Sequence, residues 1–451
     1  MSDLLIEKLA ALSSAGVSPC LVDRIHRFVA DDPAPRLFRI SPYRLAQEWD
    51  IPPKCVLDAF LLGTRQGIFD LEWSIRCGSC FGPADIQKTL SDLKNHARCA
   101  GCRVDIDNAA LDAHVEVNFS VGRGVRAVEP PLQSDVIAAW VKFDLIETLT
   151  VPPGEEWVRE QDLPAGAYKI FTKDFVTRAA FLLEGEGPPR ENEIRFDYGA
   201  GGIDWHAAAR PPGRYAIRVR NSSDRPIQMH FARAPETPWV TGLDVASNQH
   251  FRDMFSEELI STEVSFSVRN VVLLFTDIRG STNLYERRGD ARAYALVSEH
   301  FKILFDSVRR HNGALVKTIG DAVMASFVAP ADALAAILEA HDRFDAFNRE
   351  QASENAIIIK AGVHAGACIA VTLNETLDYF GRMVNLAARI QGESKGGDIV
   401  LSRSLFEGAG IAKQSEAAGW SAAEITGDLK GIDRPIPLTL LTRRAEKRRN
   451  E

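Results

Sequence analysis

Apolar and polar positions divide the chain into stretches of different period. From Ser41, SPYRLAQEWDIPPKCVLDAFLLGTRQGIFDLEW has a short helical stretch, a Pro-Pro break, a longer helical stretch, then alternation through Ile68, Phe69 and Leu71. This predicts helix, turn, helix and a short strand pair. From about His114 to Ala234, turn signals (GRG, PPG, GEGPP, GAGG, PPGR, NSSD) separate short alternating runs such as YKIFTKDF and RYAIRVRN. That spacing predicts an all-β sandwich. Residues 236–262 place Val245, Phe251, Met254, Phe255 and Leu259 at helical spacing, which predicts a linker helix. The unbroken apolar run VVLLFTDI at 271–278 then reads as a buried strand, followed by a tight loop and an amphipathic helix bearing Tyr294, Val297, Phe301, Leu304 and Val308 on one face.

Composition narrows the function classes. The 451 residues suffice for two to four domains. Net charge −8 argues against a general nucleic-acid or polybasic membrane-surface binder. No run of 18 apolar residues occurs, and MSDLLIEKLAALSSAG has acids where a secretory leader has a basic region, so a cytoplasmic protein without membrane attachment is expected. The pattern over 1–75 resembles a winged helix, but eight Lys/Arg against ten Asp/Glu leave no basic face, and an interaction or packing module is the reading adopted over DNA binding. Cys77-Gly-Ser-Cys80 and Cys99-Ala-Gly-Cys102, eighteen residues apart, have zinc-ribbon spacing. Four thiolates would hold a structural Zn²⁺; a redox pair or unrelated thiols are the alternatives. Cys20, Cys55 and Cys368 have no partner spacing and read as small buried hydrophobes.

Chemistry concentrates near the carboxyl end. Asp277 ends a core strand, where an acid needs a reason, and Gly280, Ser281 and Thr282 open a helix suited to phosphate. ALVKTIGDAVMASF reads as a hairpin with Asp321 at its tip. Asp277 and Asp321 together could bridge two Mg²⁺ ions, as in-line phosphoryl or nucleotidyl displacement requires. In LDYFGRMVNLAARIQGESKGG, a helix over 382–390 puts Met383, Leu386, Ala387 and Ile390 on one face and Arg382, Asn385 and Arg389 on the other.

FTDIRGST, VKTIGDAVMASF and DYFGRMVNLAARIQ, in this order and with GVHAG at 362–366 and LKGIDRPIPLTLL at 429–441, resemble the catalytic domain of class III nucleotidyl cyclases, the adenylate and guanylate cyclase family. The resemblance covers roughly 265–442. It implies an α+β, ferredoxin-like catalytic domain and makes Asp277, Ile278 and Asp321 the binding residues for two Mg²⁺ or Mn²⁺ ions. By the same resemblance Arg389 is the transition-state arginine and Asn385 the ribose-orienting asparagine. Lys317 and Asp378 match the lysine and aspartate with which adenylate cyclases read adenine, where guanylate cyclases carry Glu at the lysine position. Lys430 matches the closing hairpin's triphosphate contact, although Ile432 stands where many members have a second lysine. The family's shared sites imply a head-to-tail homodimer.

The reading is therefore an adenylate cyclase, a phosphorus–oxygen lyase making cyclic AMP from ATP, under an N-terminal input of unknown ligand or protein. Its expected parts are a winged-helix-like segment (1–75), zinc ribbon (76–113), β-sandwich (114–235), linker helix (236–263), cyclase domain (264–442) and basic tail (443–451). A silent nucleotide sensor and a nucleotide-gated DNA-binding regulator are the alternatives.

Overall fold

The computed structural model describes residues 3–77, 82–100, 104–132, 135–136, 144–172, 178–189, 191–200, 202–204, 210–234, 238–255, 259–261, 263–281, 290–351, 356–408, 410–429, 432 and 434–444. They form two compact units: 1–109 with 114–242, and 110–113 with 243–451. No helix among the described residues is long and apolar enough to cross a membrane.

The first unit starts with helices α1 (Asp3–Ser14), α2 (Pro19–Asp31), α3 (Pro42–Trp49) and α4 (Pro53–Arg65). Pro at the first turn of α2, α3 and α4 costs no hydrogen bond and presets φ. A strand follows, β1 (Phe69–Arg76), then β2 (Pro83–Gln87), the two-residue strands β3 (Ala97–Arg98) and β4 (Asp105–Ile106), and β5 (Val115–Val121). The expected strand pair at 68–71 is instead one eight-residue strand between β2 and β5, with β14 (Val240–Thr241) on the far side of β5. The reason is aromatic: Phe60 stacks on Phe69 at 4.1 Å and meets Phe119 edge-on at 5.4 Å, which draws β5 onto α4 and β1. Residues 115–121 thus join the N-terminal sheet, and 110–113 join the second unit, where Asp112 accepts from the Arg269 and Asn270 amides.

Within 144–234, two four-stranded sheets share one core. One holds β6 (Asp144–Val151), β8 (Gly166–Thr172), β9 (Arg178–Leu183) and β13 (Ile227–Ala234); the other holds β7 (Glu156–Leu163), β10 (Glu193–Gly199), β11 (Gly202–Asp204) and β12 (Gly213–Asn221). Buried Tyr168 and Tyr215 donate their hydroxyls to the carbonyls of Pro164 and Pro211, each four residues upstream.

The second unit starts with α5 (Gly242–Ala246, its first residue lying in the first unit) and α6 (Gln249–Met254). The predicted single linker helix is broken between them, because Asn248 caps α6 with its side chain on the His250 and Phe251 amides. Then come β15 (Phe266–Ile278), α7 (Asp290–Arg310), β16 (Ala314–Ile319), β17 (Ala322–Phe327), α8 (Pro330–Glu350) and β18 (Ile359–Leu373). Their order β16-β17-β15-β18 is the split βαβ arrangement of ferredoxin-like folds. After β19 (Thr376–Phe380) and α9 (Arg382–Glu393), the sheet is extended by β20 (Ile399–Ser402), β22 (Ile436–Arg443) and β21 (Trp420–Gly427), with α10 (Arg403–Glu407) and α11 (Ile411–Ala417) between them in sequence. Helices α7 and α8 bury one face with Ile399 and Leu401. Val400, on the opposite face by alternation, packs with Ile390 of α9.

Candidate active site

Two carboxylates meet at the end of β15. Val271–Thr276 are buried, so the apolar run carries Asp277 to the rim of the sheet. Pairing of β15 with β17, Thr276 opposite Val323, brings the β16–β17 turn alongside. Gly320 takes φ +63° there, a conformation that a side chain at this position would strain, and Asp321 follows it. The Ile278 amide donates to Asp277 Oδ1 at 3.0 Å and Asp321 Oδ2 at 3.3 Å. Burial first, and the neighbouring Asp321 carboxylate second, push the Asp277 carboxyl up to about 6; Lys360 across the strand pair pulls the other way. Two adjacent carboxylates, with an all-oxygen donor set to which the Ile278 carbonyl could add, fit hard divalent ions. Among the described residues no three His, Cys, Asp or Glu side chains cluster as metal ligands, so an ion held by this pair would need that carbonyl, water or substrate for further ligands.

A residue that the sequence reading passed over supports this pair. His300 of α7, fully buried, bonds the Asp321 carbonyl through Nε2 at 3.1 Å and stacks on Phe344 at 5.5 Å. Burial drives its imidazole down to about 4, so Nε2 carries the donated hydrogen on a neutral ring. The signal was present: 300 falls on the apolar face with Val297, Leu304 and Val308, where a histidine needs a partner.

Lys317 and Asp378 form a second pair. Lys317 Nζ lies 2.5 Å from Asp378 Oδ2; the lysine side chain is 38% exposed and the aspartate 5%. Asp378 Oδ1 also accepts from the Tyr379 amide at 2.8 Å. A β-bulge between Leu315 and Lys317 re-aims the strand just before the lysine. Helix α9 buries Met383, Ala387 and Ile390 and leaves Asn385 exposed and Arg389 half-buried, four residues apart on its outer side. Among the described residues no hydrogen bond or ion pair joins the carboxylate pair to Lys317–Asp378, or either pair to Asn385 or Arg389. Each group is built separately. Gly280 and Ser281 lie exposed and half-exposed just beyond β15.

Thr282, Lys430, Cys80 and Cys102 lie outside the described residues. Cys77 follows β1 and Cys99 follows β3, both buried. The expectation that the remaining cysteines are buried holds for Cys368 alone: Cys20 and Cys55 are exposed. Their helices turn other residues inward, Leu21, Ile25 and Phe28 in α2 and Val56, Leu57 and Phe60 in α4. His364 is a strand histidine bonded through Nδ1 to Ser402 Oγ at 2.9 Å, with no part in either pair.

Residues 264–430 match the family model described as the adenylate and guanylate cyclase catalytic domain. The second unit therefore carries the catalytic domain of a class III nucleotidyl cyclase, mixed α+β in fold. The chain as a whole belongs to a family described as of unknown function, DUF5939, whose model matches residues 2–253, more than half of its length. An adenylate cyclase of Mycosarcoma maydis is 30% identical over 188 residues, 37% of this chain and 8% of that protein. An uncharacterized protein of Mycobacterium tuberculosis is 35% identical over 181 residues, 38% of this chain and 31% of that one. The chain thus spans less than a third of these curated relatives. Among solved structures, the adenylyl cyclase CyaB from P. aeruginosa is 20% identical, with 40% of this chain and 97% of that chain covered and a TM-score of 0.35.

Proposed function

We propose that this protein is an adenylate cyclase that converts ATP to 3′,5′-cyclic AMP and pyrophosphate. The observation that carries the choice of purine is the Lys317–Asp378 pair, a cationic donor and a buried acceptor held side by side. Adenine presents an acceptor at N1 and a donor at the exocyclic amine, so Lys317 meets N1 and Asp378 the amine. Guanine reverses both polarities, and an unpaired buried group costs about 1–3 kcal/mol.

Asn385 holds the ribose so that its 3′-oxygen faces the α-phosphorus, and orientation of this kind removes much of the entropic barrier. Arg389 places a fixed positive charge where negative charge grows on the α-phosphate. Asp277, Asp321 and the Ile278 carbonyl would hold two divalent cations, Mg²⁺ or Mn²⁺, which would supply acidification of the 3′-hydroxyl and charge neutralisation of the triphosphate and pyrophosphate. His300 keeps the Asp321 backbone in place. Gly280, Ser281 and Thr282 offer amides to phosphate, and Lys430 is assigned a triphosphate contact.

One copy of each element per chain supports a homodimer with two equivalent sites. Residues 77–102 hold a structural Zn²⁺ through Cys77, Cys80, Cys99 and Cys102, the N-terminal unit receives a regulatory ligand or protein, and the enzyme works in the cytoplasm. The test is product analysis with the full-length protein, ATP and GTP separately, each with Mg²⁺ and Mn²⁺. Cyclic AMP from ATP is expected, with turnover abolished and the fold retained in Asp277→Ala and Asp321→Ala. Cyclic GMP as main product, or activity surviving either change, refutes the reading.

A further inference from the structure

The strands that carry Lys317 and Asp378 are both tied to one short helix, α6. At the bulge preceding Lys317, the Leu315 amide donates to Gln249 Oε1 at 2.7 Å. Immediately before Asp378, the Leu377 carbonyl accepts from Arg252 Nη1 at 2.8 Å. Gln249 and Arg252 are themselves fixed. Gln249 Nε2 donates to Asp253 Oδ1 at 2.7 Å, and Arg252 Nε donates to the Ala246 carbonyl, also at 2.7 Å. Just before α6, buried Ser247 sits 3.3 Å from the hydroxyl of Tyr379, the residue after Asp378.

Packing is incomplete where α6 faces the strands. A cavity of about 180 Å³ lies between α6 and the strands, lined by Gln249, Arg252, Leu315, Val316, Thr376 and Leu377. Across that space the bonds from Gln249 and Arg252 are what join the helix to the two strands.

We propose that Gln249 and Arg252 are positioning residues for purine selection: α6 is a strut that fixes the separation of Lys317 and Asp378 through the backbone neighbours of each. The proposal rests on the assignment of that pair to the base. It gives α6 a role beyond spacing, since it is the first full helix of the second unit that the chain reaches after Gly242.

The test uses the full-length protein and nucleotides that bind without cyclising, 3′-deoxy-ATP and 3′-deoxy-GTP, titrated calorimetrically with Mg²⁺. Gln249→Met and Arg252→Met keep side-chain volume and remove the bonds. Each is expected to lower the adenine-over-guanine affinity ratio about tenfold, mostly by relieving the penalty on 3′-deoxy-GTP. The double variant Gln249→Glu with Asp253→Asn keeps an acceptor for the Leu315 amide and a donor–acceptor contact between the two side chains, and restores the ratio to within about threefold. Amide exchange at Leu315 accelerates in Gln249→Met and stays protected in that double variant. Unchanged Leu315 exchange in Gln249→Met overturns the strut, whatever nucleotide binds. So does a ratio that stays within about twofold of wild type in both methionine variants while only the melting temperature falls. A wild type that prefers 3′-deoxy-GTP overturns the substrate assignment instead, and the strut then requires the same variants to shift that ratio.

Discussion

Gly362→Ala isolates the contact that seats α9 on the sheet. A Cβ at Gly362 would lie 2.3 Å from the Gln391 nitrogen and 2.4 Å from its Cα, in the last turn of the helix that carries Asn385 and Arg389. Ordinary carbon contacts begin near 3.5 Å, so helix and strand must part by roughly 1 Å, and neither is a flexible side-chain end that could swing away. Overpacking of this kind costs about 1–3 kcal/mol, and backbone on backbone belongs at the upper end. If Asn385 and Arg389 orient ribose and phosphate as proposed, a 1 Å displacement costs about 100-fold in rate. The assay is urea unfolding and turnover of ATP, with Gly392→Ala as control. That glycine is on the same helix, exposed, with nothing within 4 Å of an added Cβ, and the change should gain up to about 1 kcal/mol by helix propensity. Gly362→Ala within about twofold of wild-type turnover and about 0.5 kcal/mol of its stability would refute the close-approach argument.

Three further outcomes are expected. Because burial and Asp321 raise the Asp277 carboxyl to about 6, protons compete with the metal below that pH: Mn²⁺ affinity of the nucleotide-free protein, followed by electron paramagnetic resonance, should be flat from pH 7.5 to 6.5 and fall about tenfold per unit below 6. A flat profile down to pH 5 contradicts the pairing. Buried His300 and His341 are both held neutral, with folded values near 4 against an ordinary 6.5, so the unfolded chain binds more protons between those limits and stability drops on acidification through that window, by up to about 3 kcal/mol per histidine. Asp277 opposes this in part, since its raised value favours the folded state as pH falls from 6 toward 4. His341→Phe should therefore lose less stability than wild type between pH 7 and 5 in urea titrations. Purified protein should contain about one Zn²⁺ per chain by atomic emission, lost in Cys77→Ser; a well-folded metal-free wild type contradicts the ribbon.

Much of the catalytic unit was legible because its signals are local. An apolar strand ending in Asp277, a Gly-Asp turn at 320–321 and a 3.6 period over 382–390 need no tertiary knowledge, and those elements stand where the periods put them. What was not legible depends on partners distant in sequence. The alternation at 115–121 looks alike whether the strand joins a sandwich or, as here, pairs with β1 through Phe60 and Phe119. Residues 236–262 have helical spacing, but Asn248 acts as an N-cap and divides the stretch, a use of asparagine that apolar spacing does not reveal. The roles of Gln249 and His300 depend on a bulge amide 66 residues away and a turn carbonyl 21 residues away. Polar residues at core-facing positions were the available clue, and the carbonyl or amide each one meets is set by the assembled sheet.

That second layer bears on how the pair proposed to read the base would act. Lys317 and Asp378 satisfy each other, and Asp378 also holds the Tyr379 amide. Adenine must therefore exchange an existing ion pair for its own two hydrogen bonds, so the net gain in ATP affinity is small. Guanine breaks the same pair and returns two mismatched polarities, leaving the buried Asp378 carboxylate facing an acceptor. On the proposed assignment the pair should consequently contribute more to selectivity than to affinity. The asymmetry of exposure gives the sign for single changes: Asp378→Ala removes the buried partner and leaves Lys317 an outlet to solvent, whereas Lys317→Ala strands the carboxylate. Lys317→Ala should be the less stable of the two variants, and both should lose discrimination against GTP while KM for ATP rises only modestly.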